Sequence, residues 1–529
     1  MKKKHIGLLI FLNLLIALGY FFENKGAGYT QLSSDLHNSI PVCYKIDDPS
    51  LFQNDLYLFN VENVKYYTPF FIQTIRFFAF LAGGDYLLGM NIFATILHIA
   101  YGIGWFLLFY KVFNRFFIAL FLSVLVRGIV WLPGLEIWGI SDMWTMMPRT
   151  MYAAAMPYVF FILLHKTRLS FFIASFLIGF IFNLHPITGM GGLLMYVLFV
   201  IAANYFYEVK IGMKNYAIAA ILMVIGMIPF LSTYFLMTDT VATYNMAEYK
   251  EAFSSRIPGF FSRPSDFFEK WFAFKTLFFL IPLSLYVLYG CFVDKKYRKS
   301  ALILASISFL VIFIFSISVY VERFVNENLG LNLRMSFQII RAQKLAILPA
   351  YFALGYLLLI VTEKLRTKSY WLTCTLSLLL VCIFFSKENA FAKIPFLGDD
   401  ISRSIFPNYR EILQTKEEKQ TDMDKMLSYI DANVSKDAVF YGNFIIRCAT
   451  KRSVVLDGKG ASMLIEGNPQ ELIQWNKEKK YLESLGDEAQ KINFLKEKKK
   501  VTHILTKKSM KGNLKLLHAQ GNLNLYEIL

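Results

Sequence analysis

Three carboxylates lie within nine residues of one another in the segment YKIDDPSLFQNDLYLF, at Asp47, Asp48 and Asp55. Crowded carboxylates raise one another's proton affinity, which suits a general base or a divalent-cation site. Because Pro49 follows Asp48, this carboxylate could instead cap the start of a helix. If that helix includes Asp55, then Asp48 and Asp55 lie two turns apart on one face and could line one cavity. We predict Asp48 as a catalytic base supported by Asp55, with Asp47 as the alternative base and metal dependence left open.

A second set of polar residues, of opposite charge, occurs in the segment NLRMSFQIIRAQKLAILPAYF. Arg334, Gln338 and Arg341 are spaced by four and three residues, so on an α-helix they share one face. Lys344 follows in the same apolar run. Cations inside such a run are costly and usually have an anionic partner, for which a lipid phosphate fits the guanidinium fork. The alternative is that these side chains snorkel to the membrane surface.

Two further segments supply polar groups among apolar residues. In WLPGLEIWGISDMWTMMPRT, the charged residues Glu136, Asp142 and Arg149 alternate with tryptophans, as in an interfacial segment that covers a wet cavity. An ordinary aromatic belt is the alternative interpretation of this segment. In FNLHPITGMGG, His185 and Pro186 interrupt an apolar run, so His185 is either a capping or packing residue or a polar contact to a substrate.

The elements that must position these residues are membrane-spanning helices. A chain of 529 residues that is 56% hydrophobic and has a mean hydropathy of +0.45 cannot place all its apolar residues in a soluble core. Windows of about 19 residues predict roughly eleven transmembrane helices. Their apolar segments are 6–22, 86–109, 116–132, 150–164, 169–183, 188–206, 216–236, 271–290, 300–320, 337–361 and 370–386.

The connections between these segments alternate in charge. Basic residues occupy every second connection, including Lys2, Lys111, Lys166, Lys210, Lys295 and Lys364. The positive-inside tendency makes those connections cytoplasmic, so the N-terminus is cytoplasmic and the acidic loop 23–85 is external. The net charge of +17 therefore follows from membrane topology and does not imply a nucleic-acid partner. A cleaved signal peptide is the alternative interpretation of the first segment.

The C-terminal residues differ in pattern from the rest. Amphipathic stretches such as TDMDKMLSYIDANV alternate with short β-branched runs such as RSVVLDG and VTHILT. We predict a transmembrane domain at 1–386 and a small extracytoplasmic α/β domain at 387–529. Cys43 and Cys448 lie outside the bilayer region, where they could form a disulfide or stay unrelated thiols.

The layout resembles that of the GT-C superfamily of integral-membrane glycosyltransferases, and most closely a bacterial branch. The segments that carry the resemblance are DDPSLFQND, MMPRT, NLHPITG, QIIRAQK and RSVVLDGKG. The resemblance implies a multi-pass protein of the bacterial inner or plasma membrane that moves a sugar, with inversion, from a polyprenyl-phosphate-linked donor. The acceptor would be extracytoplasmic, an acidic-loop residue would act as base, and arginine would stabilise the leaving phosphate.

Two other classes of function stay open at this stage. A transporter or flippase for a lipid-linked glycan would favour charged residues through the midplane of several spans, or an inverted repeat. A noncatalytic scaffold of an envelope assembly would tolerate alanine in the acidic loop.

Overall fold

The computed structural model describes residues 2–32, 35–64, 69–128, 147–207, 211–233, 244–257, 274–329, 339–384 and 405–529. The α-helices as far as residue 257 are α1 Lys3–Asn24, α2 Leu36–Asp47, α3 Pro69–Leu81, α4 Tyr86–Phe113, α5 Phe116–Leu125, α6 Pro148–Leu163, α7 Arg168–Phe182, α8 Pro186–Tyr207, α9 Met213–Gly226, α10 Ile228–Leu231 and α11 Met246–Arg256. The later helices are α12 Phe274–Leu288, α13 Arg298–Leu329, α14 Leu348–Lys364, α15 Ser369–Phe384, α16 Tyr409–Leu413, α17 Lys416–Lys419, α18 Asp422–Asn433, α19 Ile445–Thr450, α20 Gly458–Gly467, α21 Pro469–Ser484 and α22 Glu488–Lys499.

The chain divides into two compact units. The first, which we call the helical unit, comprises Met1–Phe21, Ala94–Ser232 and Phe261–Asn408. The second, which we call the mixed unit, comprises Phe22–Phe93, Thr233–Phe260 and Tyr409–Leu529. The predicted domain boundary between residues 386 and 387 lies outside the described residues. The structure groups Phe22–Phe93, which include most of the predicted first loop, with the C-terminal residues.

The apolar helices identify an integral membrane protein. Helices long and apolar enough to cross a bilayer are Lys3–Asn24, Tyr86–Phe113, Pro186–Phe206, Lys295–Leu329 and Ile340–Lys364. Shorter apolar helices are Pro69–Leu81, Phe116–Gly128, Arg168–Phe182, Met213–Gly226, Leu280–Val293 and Ser369–Cys382. The total of about eleven spans stays a prediction, because length and composition do not decide which shorter helices cross.

Glycines allow close packing in the helical unit. A Cβ added to Gly179 of α7 would overlap the Met223 carbonyl of α9, and one added to Gly192 of α8 would overlap the Tyr152 hydroxyl of α6. A Cβ on Gly191 would overlap the carbonyl of Ala342. The run GMGG therefore brings α8 against both α6 and the 3₁₀ helix Ile340–Ile347, which precedes α14.

A five-stranded sheet organises the C-terminal part of the mixed unit. Its strands are β1 Val439–Tyr441, β2 Ser453–Val455, β3 His503–Thr506, β4 Leu514–Gln520 and β5 Leu523–Ile528, in the order β2-β1-β3-β5-β4. Strand β1 pairs in parallel with β2 and β3, whereas β5 pairs antiparallel with β3 and β4. The predicted α/β character of the C-terminal residues is present, with its core formed by apolar residues of α18 and the strands.

Residues 23–85, predicted as the first external loop, contain regular structure that the sequence analysis missed. Helices α2 and α3 both lie within residues 23–85. Helix α3 has 13 residues, so it is shorter than the window used to search for spans. Its Phe80 is 79% exposed and its Phe77 is 56% exposed, which leaves an apolar face uncovered within the mixed unit.

Candidate functional site

A group of basic side chains converges at one end of the helical unit. Arg149 lies in the first turn of α6, His185 immediately precedes α8, and Arg341 and Lys344 lie on the 3₁₀ helix Ile340–Ile347. Arg149, Arg341 and Lys344 lie close enough to His185 to interact with its ring electrostatically, and both arginines interact in the same way with Lys344. We call these four residues the cation cluster. The predicted substrate-binding residues Glu136, Asp142, Arg334 and Gln338 lie outside the described residues.

Helix N-termini add to the positive field of this cluster. Helices α6 and α8 both begin beside it, at Pro148 and Pro186, and the N-terminus of a helix carries a partial positive charge. Proline suits the first helical position because its missing N–H would have no intrahelical acceptor there. The sequence pairs Pro148–Arg149 and His185–Pro186 therefore position both a helix end and a basic side chain.

His185 acts as a cap for α8. Its Nδ1 accepts a hydrogen bond from the backbone N–H of Thr188 at 3.2 Å and lies 2.7 Å from the Thr188 hydroxyl. Because Nδ1 is the acceptor, the neutral ring carries its proton on Nε2. The capping interpretation is thus present in the structure, and the predicted contact between His185 and a substrate stays a prediction for Nε2.

The segment that carries Arg341 and Lys344 is a 3₁₀ helix, where we expected α-helical spacing. With three residues per turn, positions 341 and 344 eclipse on one side. Contacts to α13 stabilise this segment: Gln343 Nε2 donates to the Ile312 carbonyl at 2.8 Å, and Ser308 Oγ donates to the Ala346 carbonyl at 2.6 Å. These bonds fix the rotation of the segment and so the direction of its two cations.

Lys344 is buried without a polar partner among the residues that the structure describes. Its side chain is buried, with 5% of the residue exposed, yet within the described ranges it makes no hydrogen bond or ion pair. Taking an ammonium out of water without compensation costs several kcal/mol. Since the two arginines of the cluster add like charge, the site as a whole favours an anion.

The two adjacent aspartates of the acidic loop have different environments. Asp47, the last residue of α2, accepts from Arg76 Nε at 2.7 Å through Oδ1 and from Tyr86 Oη at 2.7 Å through Oδ2. Asp48 is exposed, and its Oδ1 accepts from the hydroxyl of Ser50 at 2.6 Å and from its backbone N–H at 3.0 Å. The Ser50 hydroxyl, followed by its N–H, lowers the pKa of Asp48 below its ordinary value. Asp48 is therefore ionised at neutral pH.

The predicted helix after Asp48 is wrong. Asp48 is the C-cap of α2, and residues 49–54 form turns. Lys45 Nζ donates to the carbonyls of Pro49 at 2.8 Å and Leu51 at 2.7 Å, and Phe52 has a φ of 62°. A lysine that binds the turn carbonyls and a residue in the left-handed region both oppose a continuing helix. Asp48 is consequently not an N-cap, and it does not share a helix face with Asp55.

Asp55 is an internal anchor of the mixed unit. Its Oδ2 accepts from Arg447 Nε at 2.6 Å and from the Val454 N–H at 2.8 Å, and Arg447 also donates to Asp457 at 2.6 Å. Although burial opposes it, the two carboxylates raise the pKa of Arg447 above its ordinary value. Asp55 therefore holds the first loop against β2, a structural role that replaces the predicted support of Asp48.

The segment RSVVLDGKG also has structural roles in the mixed unit. Arg452 donates to carbonyls around the end of α18, including those of Ser435 and Asp431 at 3.2 Å each. Asp457 caps α20 by accepting from the Gly460 N–H, and Lys459 forms an ion pair of 2.6 Å with Asp35. One motif that carried the family resemblance thus stabilises the fold. Cys43 and Cys448 are both buried free thiols, so the structure contains no disulfide between them.

The sequence analysis missed one buried cation of the helical unit. Arg127, just beyond α5, is completely buried; its Nη2 donates to Asn13 Oδ1 and to the His98 carbonyl, both at 2.9 Å. A single arginine in the apolar run 116–132 was the available signal, because an ionisable residue inside a span is a functional candidate by default. Its partners connect α1, α4 and the end of α5, which indicates a role in packing.

The described residues do not form a metal site. No group of three or more His, Cys, Asp and Glu side chains among them could hold a metal ion. Asp47 and Asp55 are already bound by arginines.

Comparison with known proteins identifies the fold. The structure is similar to that of ArnT from Cupriavidus metallidurans bound to undecaprenyl phosphate, with a TM-score of 0.51 and 11% sequence identity over 100% of this chain and 99% of that chain. No protein-family model matches the sequence, and neither does any curated protein. The chain thus shares the fold of this protein, as the resemblance implied, while a shared activity does not follow from identity this low.

Two structures of an Archaeoglobus fulgidus oligosaccharyltransferase are more distant. One, a complex with Zn and sulfate, has a TM-score of 0.46 and 12% identity over 94% of this chain and 67% of that chain. The other, tethered to an acceptor peptide containing the NVT sequon, has a TM-score of 0.48 and 12% identity over 96% and 69%. These likenesses are too weak to support a conclusion about this protein.

Proposed function

We propose that this protein is a membrane glycosyltransferase that takes its sugar from a polyprenyl-phosphate-linked donor and that the cation cluster binds the donor phosphate. The observation that carries the proposal is Lys344, whose buried amino group lies beside Arg149 and Arg341 and makes no hydrogen bond or ion pair with any residue that the structure describes. Arginine and lysine together are the preferred ligands of phosphate oxygens. The undecaprenyl phosphate bound to ArnT, which has the same fold, is a ligand of the expected class.

The reaction assigns one role to the base and another to the cations. A carboxylate removes the proton of an acceptor hydroxyl, whose oxygen attacks the anomeric carbon as the bond from that carbon to the phosphate oxygen breaks. The lipid phosphate leaves with the bonding electron pair, and the sugar is transferred with inversion. Cations stabilise the charge that grows on the leaving phosphate, an effect that is often the largest single contribution to catalysis.

We assign the base to Asp48 and keep Asp47 as the alternative. Both oxygens of Asp47 are occupied by Arg76 and Tyr86, whereas Asp48 uses only Oδ1 for Ser50. A free carboxylate oxygen is what a general base needs within reach of the acceptor hydroxyl. The acceptor is an extracytoplasmic glycan, lipid or protein in this proposal.

The test is binding of undecaprenyl phosphate to the purified full-length protein in detergent, measured by native mass spectrometry. Lys344→Gln should weaken binding roughly 10- to 100-fold, because a hydrogen bond to a charged group contributes about 1.5–3 kcal/mol. Lys364→Gln is the matched control, since Lys364 is exposed at the end of α14. Equal affinity of both variants would place the phosphate elsewhere.

A turnover assay distinguishes an enzyme from a transporter and from a noncatalytic scaffold. The purified protein, given a polyprenyl-phosphate-linked sugar and a membrane extract as acceptor, should release polyprenyl phosphate. Tight donor binding without release would favour a transporter or a noncatalytic scaffold.

A further inference from the structure

The helical unit contains a cavity whose lining includes three exposed basic residues that do not belong to the cation cluster. This cavity has a volume of about 860 Å³ and is lined by residues of α4, α6, α7, α8, α9, α13 and α14. Its wall is mainly apolar and includes Met156, Phe160, Phe199, Ile303, Leu304 and Phe352. This volume lies within the ~300–1,000 Å³ typical of small-molecule sites, and its apolar wall suits a hydrocarbon chain.

Basic residues surround the mouth of this cavity. Lys111 in the last turn of α4, and Lys166 and Arg168 between α6 and α7, all line it and are exposed. None of the three forms an ion pair with another residue of the described ranges, and Arg168 lies over the Phe172 ring at 5.3 Å from its centroid. An apolar interior with a positive mouth is complementary to an amphiphile with an anionic head.

The cavity mouth and the cation cluster are at opposite ends of α6. Arg149 lies in the first turn of this 16-residue helix, and Lys166 follows its end. At about 1.5 Å per residue, α6 is roughly 24 Å long, so one bound phosphate cannot contact both groups. The positive-inside tendency assigns the mouth to the cytoplasmic side.

We propose that this cavity binds one anionic phospholipid of the adjacent leaflet, with an acyl chain inside and the phosphate on Lys111, Lys166 and Arg168. A soluble phosphorylated ligand would leave the apolar wall uncovered. It would therefore lose the stabilising free energy of about 25 cal/mol that each Å² of buried apolar surface contributes. A neutral lipid would leave the three cations unused. This site is separate from the donor site and does not depend on sugar transfer.

The first experiment compares lipids on the unaltered protein. Full-length protein is delipidated in detergent and titrated with phosphatidylglycerol, phosphatidylcholine and inorganic phosphate, with native mass spectrometry as the readout. Phosphatidylglycerol should bind at least tenfold more tightly than phosphatidylcholine. Equal binding of the two lipids, or displacement of phosphatidylglycerol by millimolar inorganic phosphate, would overturn the proposal.

A charge variant tests the mouth of the cavity. Lys111→Gln/Lys166→Gln/Arg168→Gln should reduce phosphatidylglycerol affinity to the level of phosphatidylcholine. The matched control is Lys295→Gln/Arg298→Gln/Lys299→Gln, which removes three exposed charges that do not line the cavity. An equal loss in both triple variants would indicate a diffuse surface effect and contradict a defined site.

The position of the acyl chain has its own readout. Trp105 lines the cavity and is buried, so a phospholipid brominated on its acyl chains should quench its fluorescence. The quenching should fall in the Trp105→Phe variant and in the mouth variant, and stay in the control triple variant. Unchanged quenching in Trp105→Phe would show that the chain lies outside the cavity.

Discussion

At the scale of single residues, neighbouring carboxylates differ because their partners differ. Asp47 is held by Arg76 in an ion pair of 2.6 Å, whereas the hydrogen bonds that the Asp48 carboxylate accepts from described residues come from Ser50 in its own turn. An ion pair and a phenol donor occupy both oxygens of Asp47. Asp48 keeps one oxygen available, so the two residues separate into a structural carboxylate and a candidate base.

We predict that Asp48→Asn abolishes most sugar transfer. Asparagine accepts the Ser50 hydrogen bonds but cannot take a proton, and loss of a general base typically costs 10²- to 10⁴-fold in rate. The measurement is initial transfer rate by purified protein that binds donor normally, with Asp47→Asn as the matched control. If Asp48→Asn keeps more than about a tenth of the rate while Asp47→Asn loses nearly all of it, Asp47 is the base.

His37 predicts a pH dependence of stability in the mixed unit. Its Nε2 lies 2.7 Å from the Tyr29 carbonyl and so carries the ring proton, while its buried Nδ1 has no hydrogen-bond partner in the described part of the chain. Burial lowers the pKa of His37 below its ordinary value, with the Tyr29 carbonyl opposing. The unfolded chain therefore takes up a proton below about pH 6.5 that the folded chain does not, and stability should fall as the pH drops from 7 to 5.

The check is thermal unfolding of the full-length protein between pH 5 and 7. His37→Gln keeps a donor for the Tyr29 carbonyl but does not titrate, so its melting temperature should depend less on pH. One histidine contributes at most about 1.4 kcal/mol per pH unit. Identical pH slopes for the parent and His37→Gln would show that His37 does not titrate on unfolding.

At the scale of elements, helix ends and glycines place the cations. Helices α6 and α8 begin beside the cation cluster, and Gly191 and Gly192 let α8 approach Ala342 and Tyr152. The 3₁₀ geometry of residues 340–347 directs Arg341 and Lys344 to one side. The site is thus built by short segments whose conformation depends on neighbouring helices.

The turn that contains Asp55 should be essential for the stability of the mixed unit. We predict that Asp55→Ala destabilises the protein by about 3–5 kcal/mol, because removing one partner leaves Arg447 and the Val454 N–H buried without compensation. Asp47→Ala, which breaks a partly exposed ion pair, should cost only about 0–1 kcal/mol. Denaturant unfolding of the two variants measures both values, and similar losses would contradict the anchor role of Asp55.

At the scale of the whole molecule, charge alternation predicts a cytoplasmic N-terminus and an external C-terminus. The reason is that lysine- and arginine-rich connections are retained on the cytoplasmic side. A reporter that is active only in the cytoplasm should stay silent when fused after Leu529 and be active when fused before Met1. Activity of the C-terminal fusion would show that the predicted orientation is inverted. Each proposed site would then lie on the other side of the membrane.

The sequence by itself determined the class of this protein and the approximate position of most of its helices. Hydropathy and strand-like runs are local properties, so they can be seen without contacts, and they identified the apolar helices and the C-terminal α/β region. Hydropathy did not predict helix α3, because its 13 residues are too few for a window of spanning length.

Only the tertiary structure decided what the charged residues contact. Asp55 and Arg447 are 392 residues apart in the chain, and no local pattern distinguishes their buried ion pair from a catalytic carboxylate. Likewise, Arg149, His185 and Lys344 come from three separate segments whose convergence depends on how the helices pack. Electrostatic interactions act through space, whereas spacing in the sequence reports only neighbours along one element. The spacing could therefore suggest candidate residues for the site but not the partners of those residues.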